Sequence, residues 1–101
     1  MLFQVVHTHT SETCPGRSPE QTKFLANWWQ SFKKTAGVKV VSAYSSPIDH
    51  TFYITVEADD YASLAKALGP LNTLGTGRAS PVLVLDQTLS LAEAGAFRTP
   101  K

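Results

Sequence analysis

Strand-like and helix-like segments alternate along this sequence, and their order limits the possible folds more than any other feature. The clearest strand is residues 50–57, where apolar and polar side chains alternate as they do on the two faces of a sheet. Residues 2–9 and 38–45 are also rich in strand-forming residue types. Residues 81–85 predict a fourth strand, and Pro81 places it at a sheet edge because proline has no N–H to donate.

Two segments carry the signals of amphipathic helices. The first begins with a capping box at residues 18–21, and apolar side chains follow it at helical spacing. The second is predicted to begin after a cap at Asp59 or Asp60 and to stop at Gly69-Pro70, because glycine and proline end helices. A weaker capping box at residues 90–93 predicts a short last helix.

The predicted order is therefore β-α-β-β-α-β followed by a short helix. This order is typical of the α+β ferredoxin-like fold, an antiparallel sheet with two helices on one face. Residues 75–78, Gly-Thr-Gly-Arg, are predicted to form a turn before the last strand. The 101 residues suit one domain, which we expect over residues 1–95, with a frayed tail over residues 96–101.

Charge and cysteine content argue against several classes of function. Nine Lys and Arg against eight Asp and Glu give a formal net charge of +1, so neither a basic nucleic-acid surface nor a polybasic membrane anchor is expected. No apolar run approaches the ~20 residues that cross a bilayer. Cys14 is the only cysteine, which rules out a disulfide within the chain and favours a reducing, cytoplasmic location.

The residues that can carry chemistry are the three histidines and Cys14. His7 and His9 are two residues apart on a strand, so both imidazoles lie on one face of the sheet. In this fold the third strand runs antiparallel beside the first, which places His50 near His9. Imidazole and thiolate ligands suit copper, zinc, nickel or iron. The sequence therefore predicts a transition-metal site with His7 and His9 as ligands, and Cys14 and His50 are the candidates for further ligands.

The same residues leave other interpretations open. Strict alternation puts His50 on the helix-covered face with Phe52, whereas His7 and His9 are assigned to a polar cavity face with Tyr53. His7 and His9 are also compatible with ordinary polar strand positions. A metal-free isomerase or monooxygenase would use His7, His9 or Tyr53, with a histidine as general base near neutral pH. A sensor or assembly module without catalysis is the third hypothesis.

A resemblance to known families supports the fold. The element order over residues 2–90 resembles the dimeric α/β-barrel superfamily, which includes muconolactone isomerases and small antibiotic-biosynthesis-type monooxygenases. A narrower similarity, to a poorly characterised bacterial and archaeal family of unknown function, rests on residues 5–9, 14–15, 37–40 and 52–59. The resemblance implies a homodimer or a higher oligomer and a pocket for a small molecule inside each barrel.

Overall fold

A four-stranded antiparallel sheet forms the frame of the molecule, as the computed structural model shows for residues 1–99. The elements in chain order are β1 (Leu2–His9), α1 (Pro19–Lys33), β2 (Val38–Ser46), β3 (Thr51–Ala58), α2 (Tyr61–Asn72), β4 (Gly75–Pro81) and α3 (Leu85–Glu93). The predicted α+β ferredoxin-like architecture is confirmed. Among residues 1–99, none of the helices has the length and apolar character needed to cross a membrane. The frayed tail expected at the C-terminus extends to residues 100 and 101, which lie outside the described residues.

The sheet order is β2-β3-β1-β4, so β1 is central and β4 is an edge strand. β1 and β3 pair antiparallel, with His7 opposite Phe52. Beyond the last paired residues, the His9 backbone N–H donates to the His50 carbonyl at 2.9 Å. The proximity of His9 to His50 that the fold predicts is therefore confirmed.

The core lies between one face of this sheet and the first two helices. Its members are buried apolar side chains from β1, β2, β3, α1 and α2, principally Phe3, Val5, Trp28, Phe32, Val38, Ile54, Val56, Leu64, Leu68 and Leu71. Burying a side chain of this size contributes about 1.5–3 kcal/mol. Both predicted helix caps are present, since the side chains of Ser18 and Asp60 accept hydrogen bonds from backbone N–H groups in the first turns of α1 and α2.

The prediction for the fourth strand is wrong in its position. The strand covers Gly75–Pro81, which includes the predicted turn at residues 75–78, and it ends where the expected strand at residues 81–85 would begin. Backbone hydrogen bonds to β1 form this strand, so it needs few strand-forming side chains. Gly75 allows the close approach, because a Cβ there would lie 3.0 Å from the Cα of His9. The predicted edge position is correct.

Two helix boundaries also differ from the prediction. α2 does not stop at Gly69-Pro70 but continues to Asn72, because Leu71 in its last turn is buried in the core and holds that turn in place. α3 begins at Leu85, well before the capping box predicted at residues 90–93, which instead forms its last turn. The apolar run before α3 resembles a strand in sequence and concealed the start of the helix.

The face assigned to two histidines is wrong as well. His7 and His9 lie on the helix-covered face, where His7 is 1% and His9 is 6% exposed. A strand has a period of two, so the core positions of Phe3 and Val5 fix the same face for both histidines. Tyr53 lies on the opposite, open face of the sheet and is 41% exposed. The homodimer expected to cover that open face stays a prediction.

Candidate metal centre

Three of the four predicted ligands meet at one end of the sheet. His9 is the last residue of β1, Cys14 lies in the loop between β1 and α1, and His50 immediately precedes β3. One ligand atom from each side chain lies within 4.8 Å of the other two. Two imidazoles and one thiol from three separate segments therefore face a common point.

The turn before β3 fixes the position of His50. Its φ is 53°, in the left-handed region, which costs a residue with a side chain about 1–2 kcal/mol. The turn is held by a hydrogen bond of 2.9 Å from Ser46 Oγ to Asp49 Oδ2 and by another of 2.9 Å from Thr51 Oγ1 to the Asp49 carbonyl. The surrounding turn thus holds a histidine in a backbone conformation that favours glycine.

One hydrogen bond within the loop that carries Cys14 and one to α1 hold the backbone of this loop. The Arg17 backbone N–H donates to the Cys14 carbonyl at 2.9 Å. Gln21 of α1 donates from Nε2 to the Glu12 carbonyl, also at 2.9 Å. Cys14 itself is a free, half-buried cysteine. The backbone around the thiol is therefore anchored to α1, while the thiol remains available as a ligand.

The imidazoles at this point have nitrogen atoms without partners. Nδ1 of His9, of His50 and of the adjacent His7 are buried, and none of the three has a hydrogen-bond partner among residues 1–99. An unsatisfied buried polar atom typically costs about 1–3 kcal/mol. A bound metal ion would use such a lone pair, so the orphaned atoms fit the donor set of a metal site.

Burial also sets the protonation of His9. Desolvation lowers its pKa below the ordinary value of 6.5, and the positive charges that His7 and His50 can carry lower it further. A lowered pKa keeps the imidazole neutral near pH 7, the state in which histidine binds metals. The electrostatics of the site therefore favour a ligand over a cation.

The spacing of the three groups is close to that of a metal site. Tetrahedral geometry with ligand bonds of about 2.0–2.3 Å separates neighbouring ligand atoms by roughly 3.3–3.6 Å. The 4.8 Å spread seen here closes to that spacing with movements of about 1 Å. The three side chains could therefore hold a metal ion together.

His7, the fourth predicted ligand, lies beside this group and not in it. Its ring centroid is 5.7 Å from that of His9 and 5.7 Å from that of Phe52, on which the His7 ring stacks. Its Nε2 bonds to the Leu71 carbonyl at 3.2 Å. A carbonyl only accepts, so Nε2 carries the proton and Nδ1 does not. Burial lowers the pKa of His7, and the bond to Leu71 partly opposes that shift.

Some of the residues around the histidines could be predicted from the sequence, and others could not. Tyr53 points away from the histidines, because it lies on the open face. Phe52 contacts both His7 and His9. The alternation of β3 predicts that Phe52 lies on the helix-covered face, which is also the face of the two histidines. The Leu71 carbonyl had none, since its position depends on the passage of α2 through Pro70.

Comparison with known proteins gives a family without an assigned activity. A family model described as a domain of unknown function, DUF3303, matches residues 1–96. No curated protein matches the chain. Since the matched region includes β1 to β4, α3 and all of the residues discussed above, the chain belongs to the DUF3303 family.

Proposed function

We propose that this protein binds one transition-metal ion through the imidazoles of His9 and His50 and the thiolate of Cys14. The observation that carries the proposal is the convergence of the only cysteine and two of the three histidines within 4.8 Å. Each comes from a different segment, so the convergence is a property of the fold and not of local sequence spacing.

The donor set defines the class of metal. Two imidazole nitrogens and one thiolate suit copper, zinc, nickel or iron, whereas magnesium and calcium prefer oxygen ligands. Binding would deprotonate Cys14 and release that proton to solvent. An ion held by His9, His50 and Cys14 would supply Lewis-acid chemistry toward a small molecule or a water.

His7 would act as a positioning residue for this site. Its Nε2–H is held by the Leu71 carbonyl, and its ring packs beside the rings of both Phe52 and His9. Through this packing it limits the orientations of the His9 ring. Such contacts around a ligand usually affect metal affinity without being required for binding.

The test is the metal content of the untagged protein after loading separately with copper, zinc, nickel and iron, by plasma mass spectrometry. We expect about one ion per chain for at least one of these metals, because the site offers one set of three ligands. The double variant Cys14→Ser/His50→Gly should lose it. The matched control is His7→Gln, which removes an adjacent imidazole, keeps a donor for Leu71 and should retain the metal.

The two possible failures have different consequences. Stoichiometric metal in Cys14→Ser/His50→Gly would show that the ion binds elsewhere. No metal in the wild-type protein would favour the metal-free alternative, in which a histidine is a general base. The lowered pKa of His9 supports that alternative, because the neutral imidazole can accept a proton.

A further inference from the structure

The helix α3 is amphipathic but packs against nothing that buries it. None of its residues is buried in the described part of the chain. The polar side of the helix consists of Asp86, Gln87, Ser90 and Glu93. The other side is apolar and exposed, and it consists of Leu85, Leu89 and Leu91, preceded by the exposed Val84. A nine-residue helix is well below the ~12–15 residues at which isolated helices become even marginally stable in water. Its apolar side therefore needs a partner surface.

An unfilled apolar groove lies at the opposite side of the same molecule. It runs between α1 and the strands β2 and β3, with a volume of about 380 Å³. Its walls include Leu25, Ala26, Trp29, Ala43 and Phe52. This groove has the apolar character that an amphipathic helix recognises.

α3 lies far from the groove of its own chain. The groove is next to β2, whereas α3 follows β4, and these two strands are the opposite edges of the sheet. Three strand spacings separate the edges, or roughly 14 Å. Only residues 82–84 connect β4 to α3, so α3 begins beside the β4 edge of the sheet. The molecule is accordingly elongated, with extents of 57 × 30 × 19 Å.

The charges of the two surfaces are complementary. α3 carries two acidic residues, Asp86 and Glu93, and no Lys or Arg. At the groove, Lys33 Nζ lies 5.4 Å from the centre of the Trp29 ring. An acidic helix entering the groove would meet this cation at its rim.

We propose that α3 of one copy of this chain packs into the α1–β2–β3 groove of a second copy. A two-fold axis would make the exchange reciprocal, so that two identical contacts form in one dimer. The contact buries the apolar side of α3 and fills the groove without any change to the sheet or to the metal-binding residues. It is independent of the proposed metal function.

The first test is the dimer dissociation constant of the full chain by analytical ultracentrifugation. Leu85→Ser/Leu89→Ser removes apolar side chains from α3, and Ala26→Glu places an acidic group in the groove. Both alter exposed positions, so the monomer should fold. Each should weaken dimerisation by at least about tenfold.

The matched controls, Gln87→Ser on the polar side of α3 and Asn27→Glu beside the groove, should leave the dimer dissociation constant unchanged. A monomeric wild-type protein, or a dimer insensitive to both changes, would overturn the proposal.

The second test establishes which surfaces meet and between which chains. In a Cys14→Ser background, a protein with Ala26→Cys is mixed with a differently tagged protein with Leu89→Cys and treated with a short bis-maleimide. We expect a cross-linked heterodimer between the two tags. The same two cysteines within one chain should also give mainly dimers. A cross-linked monomer would show that α3 occupies the groove of its own chain. The absence of any cross-link would show that α3 does not occupy the groove. Either result contradicts the exchange.

Discussion

His50 combines a proposed ligand with an unfavourable backbone conformation. A φ of 53° favours glycine, yet a histidine occupies the position beside His9 and Cys14. Strained residues are retained where the surrounding structure holds them, often at functional sites. Substitutions of His50 should therefore change the stability of the protein and its metal binding independently of each other.

We predict that His50→Gly and His50→Ala both lose the metal but differ in stability. In the metal-free protein, His50→Gly should be the more stable by roughly 0.5–1 kcal/mol, the left-handed penalty less the extra chain entropy that glycine loses. Urea unfolding of the two variants measures the difference. Equal stability would mean that the backbone at this position is not strained.

Burial of His7 and His9 makes the stability of the metal-free protein depend on pH. Both pKa values are lowered in the folded state, so the unfolded chain takes up protons first as the pH falls below about 6.5. The two neutral imidazoles make their full contribution to the unfolding free energy above about pH 6.5. This contribution is lost as the pH falls toward the lower pKa values of the histidines in the folded protein. We predict a decrease in unfolding free energy from about pH 7.5 to about pH 5.5.

The matched variant for this prediction is His7→Gln, which removes one titrating group and keeps a donor for the Leu71 carbonyl. Its stability should decrease less over the same range in chemical unfolding experiments with a chelator present. An identical decrease in both proteins would show that His7 does not contribute to the pH dependence.

At the scale of elements, side-chain patterns predicted the parts of the fold that side chains hold together. The sequence predicts the helix starts at Ser18 and Asp60 and the strand β3 correctly, because capping and alternation each have a local physical cause. β4 was misplaced because backbone pairing to β1 forms it, and the glycines at its start carry no strand signal.

The candidate site was predictable in composition and in place but not in detail. Antiparallel pairing of β1 and β3 brings His9 and His50 together, which the element order alone implies. The separation of His7 from Cys14 and His50 was not predictable, because it depends on the Leu71 carbonyl at the end of α2. That carbonyl is a tertiary contact without a pattern in the sequence.

The contact between α1 and the Cys14 loop yields a prediction about metal affinity. Gln21 holds the loop through the Glu12 carbonyl, so Gln21→Ala should loosen the loop and weaken metal binding about tenfold without abolishing it. Competition with a chromophoric chelator measures the affinity. Lys23→Ala, at an exposed position of the same helix, is the control and should bind as the wild type does. Equal affinity for Gln21→Ala would show that the loop is held by other contacts.

Across residues 1–99, one face of the sheet is left exposed. Exposed aromatic side chains, including Tyr44 at 73% and Tyr53 at 41%, lie there on neighbouring strands opposite each other. An antiparallel sheet tolerates one solvated face, but exposed aromatic rings are typical of interfaces. We predict that a further copy, in addition to the one that exchanges α3, contacts this face, as the dimeric α/β-barrel resemblance implies, so that the full assembly has more than two chains.

Tyr53→Glu should then weaken self-association at least about tenfold in analytical ultracentrifugation, because a charge would be buried in the contact. Asn27→Glu makes the same charge change on exposed α1 and serves as the control. A dissociation constant unchanged by Tyr53→Glu but raised by Leu85→Ser/Leu89→Ser would assign self-association to α3 and not to the sheet.

X-ray absorption of the zinc-loaded protein tests most directly whether Cys14, His9 and His50 bind one metal ion together. We predict one sulfur at about 2.3 Å and at least two imidazole nitrogens at about 2.0–2.1 Å. In Cys14→Ser the sulfur contribution should disappear while His7→Gln retains it. A zinc spectrum with only nitrogen and oxygen neighbours in the wild-type protein would mean that these three side chains do not form the site.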